Sequence, residues 1–156
     1  MSMALVRRVF PQQFDNRFDG HRAALWVLGA LLALKLVVSI NSILNTAKVA
    51  VGADGFRIES YGAEGGRAVL MLFALSALGQ LALALVGVAA LVRYRSMVPF
   101  MFLLGIGEFA VRRMIIGSYS VSRAPELNLP LIMNAIVIAL LAAGFALSVW
   151  HRRARD

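Results

Sequence analysis

Long apolar runs broken by short polar links set the pattern of this chain. Four runs stand out: Ala23 to Asn45, Ala68 to Val92, Met97 to Gly117, and Leu129 to Trp150. Each has roughly the 20 residues that a helix needs to cross a hydrocarbon core. Helices of that length satisfy their backbone hydrogen bonds internally, as lipid demands, and such runs are too long for the strands of a barrel. The pattern therefore predicts an all-α fold, a bundle of four transmembrane helices over residues 23–150. It is preceded by a basic segment, 1–22, and followed by a basic tail, 151–156. The first run exceeds the 7–15 apolar residues of a signal peptide, which predicts a retained span.

The polar links refine this picture. In the first segment Phe10, Phe14 and Phe18 recur at i, i+4, with Arg7, Arg8 and Arg17 interspersed. That spacing predicts a helix lying on anionic lipid, with Pro11 near its start; a basic tail without regular structure is the alternative. In the link between the first two runs, Lys48-Val49-Ala50-Val51 and Phe56-Arg57-Ile58-Glu59 flank an Asp54-Gly55 pair. Alternation around Asp-Gly predicts a short external β-hairpin, with a plain connector as the alternative. The link Arg93-Tyr94-Arg95-Ser96 is short enough to make the second and third runs a tight hairpin. Pro99 falls in the first turn of the third helix, where its missing N–H costs little.

Charge sets the orientation. The chain carries 16 Lys and Arg against 8 Asp and Glu, a formal net charge of +8. The basic residues sit at the ends of apolar runs, where they anchor membrane helices, so no nucleic-acid partner is expected. With the N-terminus inside, the inner parts hold Arg7, Arg8, Arg17, Arg22, Arg93, Arg95, Arg152, Arg153 and Arg155. The outer links hold only Lys48, Arg57, Arg67 and Arg123. Both termini are therefore expected in the cytoplasm. Sixty per cent of the chain is hydrophobic, above the roughly 45–50% of soluble domains. There are no cysteines, which removes disulfides, thiol catalysis and iron–sulfur ligation.

The candidate chemistry lies inside the runs. Glu108 is a lone carboxylate near the middle of the third run, and a charge at that depth is normally paired, protonated or functional. At 1.5 Å per residue, Lys35 lies about 18 Å along the first helix and Glu108 about 16 Å along the third, nearly level. Gln80 falls close to that depth, with Arg112 and Asn134 somewhat further out. Lys35, Ser39 and Ser42 share one stripe. Ser76, Gln80, Leu83 and Gly87 share another, and Met101, Gly105, Glu108 and Arg112 a third. Asn134, Leu141 and Ser148 repeat every seven residues. Small and polar stripes are how membrane helices approach one another. The expected site is thus a buried polar network or ligand-binding layer of Lys35, Ser39, Gln80, Glu108, Arg112 and Asn134. Arg113 points well off this face and is expected to reach for headgroups.

Two readings of that layer remain: an ion-pair and amide network that locks helix register, or a hydrated, anion-binding and proton-linked pocket. No catalytic set accompanies Glu108. No serine–histidine–acid arrangement can form within reach of the spans. His21 and His151 lie at the rim, whereas an intramembrane haem wants histidines within the spans. Asp15 and Asp19 read as a solvated pair, and Gly105-Ile106-Gly107 follows no strand. No catalytic residue, metal or cofactor is expected.

Several local motifs carry a family resemblance. Phe14-Asp15-Asn16, Gly20-His21-Arg22, Ser39-Ile40-Asn41-Ser42-Ile43, Ala53-Asp54-Gly55 and Val92-Arg93-Tyr94-Arg95-Ser96-Met97-Val98-Pro99 resemble a family of uncharacterised small bacterial inner-membrane proteins with four helices. The resemblance covers most of the chain and implies bacterial origin and four spans; it brings no activity. The leading expectation is a non-enzymatic accessory, assembly or scaffolding protein of the inner membrane, with lipids and other membrane-protein subunits as partners. The alternative is a binding or transport protein for a small anion or lipid.

Overall fold

Leucine and alanine dominate the first apolar run, and both are strong helix formers. They form α1, Ala23–Leu44. Asn45 leaves helical geometry, yet its N–H still donates to the Asn41 carbonyl and its own carbonyl accepts from Val49. The chain therefore kinks and resumes as α2, Thr46–Gly52. A 3-10 turn, Ile58–Tyr61, leads into α3, Gly62–Arg93, and a second, Arg95–Met97, into α4, Val98–Ser118. The last helix is α5, Asn128–Val149. The computed structural model describes residues 7, 9–52, 57–118 and 128–150, of which 128–131 by backbone alone.

All regular structure among the described residues is helical. Among the described residues three helices are long and apolar enough to cross a membrane: Ala23–Leu44, Ile58–Arg93 and Ile132–Val149, each with a mean hydropathy of 2.3. The third run forms a helix of comparable length, but Glu108, Arg112 and Arg113 keep α4 out of that set. Helix α3 starts six residues before the expected Ala68, and its Gly66 packs against Ile58 of the preceding turn.

Two local expectations are corrected. Residues 48–51 are not a hairpin strand. They lie in α2, held by the bonds across Asn45 and by burial of Ala50; residues 53–56 fall outside the described residues. A two-stranded hairpin is marginal alone, and packing decides such short runs against β-propensity. The Phe10–Phe18 segment is not helical either. It is an irregular strap across the end of the bundle where α1 begins. Phe10 packs on Phe100 and Phe14 on Tyr94, while Phe18 lies against the core. The Asp15 N–H donates to Ser96 Oγ, which donates to the Asp15 carbonyl, and the His21 N–H donates to the Leu147 carbonyl. His21 Nδ1 accepts the Ala23 N–H at the start of α1. With these contacts available, docking on the bundle outweighs the marginal stability of a short isolated helix.

The core sits at that same end. Leu28, Leu32, Ala84, Val98, Phe102 and Leu141 are buried together, within about 14 Å of the start of α1 at 1.5 Å per residue. Close approach there depends on small residues. A Cβ at Gly87 would run into Leu32, and one at Gly144 into the Phe102 ring. α1 packs along α3, and α5 packs on both α1 and α4, whereas α3 and α4 touch sparingly despite their short link. The four long helices are thus tight at the strap end and looser towards the other.

Candidate functional site

The loosening begins at the level of Glu108. Its side chain is 22% exposed and joins three helices. Lys35 Nζ of α1 donates to Oε2 at 2.6 Å, and Gln80 Nε2 of α3 donates to Oε1 at 2.8 Å. Arg112 Nη2, one turn along α4, donates to the same Oε1 at 3.0 Å. Each contact follows from helix geometry. Lys35 and Glu108 lie twelve and ten residues from the starts of neighbouring helices, so the fixed rise brings them level. Arg112 is at i+4 and therefore on the same face as Glu108.

Around this set the helices line an open-sided cavity of about 660 Å³. Its polar wall contains Lys35, Ser39, Ser42, Gln80, Glu108 and Arg112. Its apolar wall includes Leu34, Val38, Phe73, Phe109 and Met133, and α2 contributes Val49 and Gly52 at the far end. A volume of this size falls within the range of about 300–1,000 Å³ typical of small-molecule sites. Charge is unequal in it: two cations face one carboxylate, leaving a surplus of one positive charge. The surplus falls on Arg112, whose side chain is 45% exposed and commits one terminal nitrogen, while Lys35 is 27% exposed and held at the shorter distance.

The expected layer is therefore assembled in four of its six members: Lys35, Gln80, Glu108 and Arg112. Ser39 is buried and lines the cavity beside them. Asn134 lines the cavity, but among the described residues no hydrogen bond ties it to Glu108. Its helix meets the core through Leu141, Gly144 and Ser148, all nearer the strap. Arg113 is exposed and outside the cavity wall. The apolar wall lies outside the expected layer, Phe109 and Val49 included. Phe109 adjoins Glu108 and passes for core. Val49 falls in the expected strand, although it stands seven residues beyond Ser42, the spacing that continues the stripe of α1 along one helical face.

No protein-family model, curated protein or solved structure matches this chain, so the site rests on its own geometry.

Proposed function

We propose that this is a non-enzymatic binding protein of the bacterial inner membrane that holds a small amphipathic anion within its bundle. The observation that carries this reading is the cavity itself: it reaches Glu108, it is walled by both apolar and charged side chains, and its charge is not balanced. An inert helix lock needs neither the volume nor the extra cation.

The membrane arrangement that goes with this reading has four spans, α4 included, and cytoplasmic termini. In that arrangement the strap lies at the cytoplasmic surface and the cavity opens in the outer half. The Lys35–Glu108–Gln80 set supports the inclusion of α4, because its charges are met inside the bundle instead of by lipid. Single cysteines introduced in place of Glu59, Arg95 and Ser118 test this in a chain that has none. Glu59 and Ser118 are expected to label from one face and Arg95 from the other; labelling of Ser118 from the Arg95 face overturns the four-span arrangement.

Binding is tested by native mass spectrometry of the purified protein. A stoichiometric adduct is expected, and Ser42→Leu, which fills the cavity wall, is expected to remove it while the fold survives. An adduct-free wild type overturns the reading. The second reading, an accessory or scaffolding subunit, draws support from Glu108 of α4 joining α1 and α3 through two bonds between helices. It gains ground if the wild type is adduct-free yet co-purifies stoichiometrically with another membrane protein.

A further inference from the structure

Resting on the binding reading above, we infer that the cavity takes a single-chain amphiphile with one negative charge, whose head pairs with Arg112 and whose chain lies against Leu34, Val38, Phe73 and Met133. Charge, volume and layering argue this together.

Charge comes first. Glu108 already accepts from Lys35, Gln80 and Arg112, so a further anion cannot displace it without stranding a carboxylate. Of the two cations, Arg112 keeps more unused N–H donors and more free surface, 45% against 27% for Lys35, and a guanidinium matches a planar carboxylate or a phosphodiester in two-point contact. The surplus is one charge, so a monoanion neutralises the wall and a dianion leaves it negative. A cationic or neutral head leaves the surplus in place at bilayer depth, which is costly.

Volume comes second. About 660 Å³ accommodates one acyl chain with a compact head, whereas a diacyl phospholipid fits only with one chain left outside the open side.

Layering comes third. Counted from the strap end at 1.5 Å per residue, Leu31 and Leu141 lie about 12 Å deep, Lys35 about 18 Å and Arg112 about 21 Å. The charged belt thus sits on an apolar floor and beside apolar walls. A head held at Arg112 has hydrocarbon-compatible surface next to it, the arrangement an amphiphile needs and a bare inorganic anion does not.

The test uses the full chain in nanodiscs of zwitterionic lipid. Trp26 and Trp150 are replaced by Phe, and Phe109→Trp provides a reporter in the cavity wall. The probes are 12-bromododecanoate and 12-bromododecanol, whose bromines quench indole fluorescence on contact. Saturable quenching by the acid is expected, with the alcohol at least tenfold weaker. Arg112→Gln is expected to weaken the acid at least tenfold and Arg112→Lys to recover part of that loss. Arg113→Gln, off the cavity wall, is expected to stay within twofold. Displacement of the acid by unbrominated dodecanoate or by a lysophosphatidylglycerol of equal chain length supports the inference and identifies the head as carboxylate or phosphodiester. Equal affinity for acid and alcohol overturns it, as does a folded Arg112→Gln variant that binds normally; both results leave the cavity a binding site. If Arg112→Gln does not fold, the comparison of acid and alcohol on the intact belt still decides. No saturable quenching by either probe overturns the inference, and the adduct measurement on the unmodified protein shows separately whether the binding reading falls with it.

Discussion

Replacing Glu108 by Gln keeps the side-chain shape and removes one charge, so it isolates what the carboxylate contributes. The loss can be worked from the three contacts. The Lys35 bond is short, at 2.6 Å, and both side chains are about three-quarters covered. A hydrogen bond to a charged group is worth about 1.5–3 kcal/mol, and the residual exposure puts this one near the lower figure. The Arg112 contact is an i, i+4 pair with a 45% exposed partner, worth about 0.3–0.5 kcal/mol. Gln80 can still donate to the new amide oxygen, so that contact weakens by roughly 0.5 kcal/mol. Together Glu108→Gln should destabilise the fold by about 2–3 kcal/mol, because two cations are left without a counter-charge. Lys35→Met in the same chain should restore about 1 kcal/mol, close to the coupling found for polar pairs inside membrane bundles. Reversible unfolding in mixed micelles, followed by circular dichroism for the wild type, both single variants and the double variant, gives the cycle. If Glu108→Gln lies within about 0.5 kcal/mol of wild type, or if the two changes simply add, the network does not hold the bundle and the reasoning fails.

Two further outcomes test the packed end. Gly144→Leu should cost about 1–3 kcal/mol by overpacking, since even a Cβ there meets the buried Phe102 ring; an unchanged melting curve would mean that α4 and α5 pack differently. Ser96→Ala removes the hydroxyl that bridges the Asp15 N–H and carbonyl, so trypsin should cut faster after Arg17 while global stability falls by only about 1 kcal/mol. Equal cleavage rates would show that the aromatic contacts alone hold the strap.

What the sequence revealed and what it hid divide along physical lines. The helices and their polar stripes were legible because both depend on quantities the chain carries in itself: run length, rise per residue and a period of 3.6. That is why Lys35, Gln80, Glu108 and Arg112 could be set level before any packing was known. The strap was not legible, because Phe10, Phe14 and Phe18 keep helical spacing for an unrelated reason. Each finds its own partner surface: Phe100, Tyr94 and the core. The Asp54-Gly55 signal misled likewise, since residues 48–51 answer to the kink at Asn45 and to burial of Ala50, which the local pattern does not encode. Asn134 has the right depth and the right face, but hydrogen bonding requires a lateral approach that depth cannot predict.

The lateral dimension also bears on whether one layer serves as lock and as pocket. A lock wants every charge answered within the bundle, and a pocket wants one left over. This layer divides the two tasks between its cations. Lys35, on α1, closes on Glu108 from another helix and ties a pair that otherwise packs sparingly; Gln80 adds α3. Arg112 rides on the same helix as Glu108, so its bond fixes no inter-helix distance and its loss loosens none. It is therefore free to spend its remaining donors on a ligand without cost to the fold. Lys35→Met should thus act on stability first and on binding second, and Arg112→Gln in the opposite order. That contrast in order, more than the size of either effect, is what a two-part layer demands.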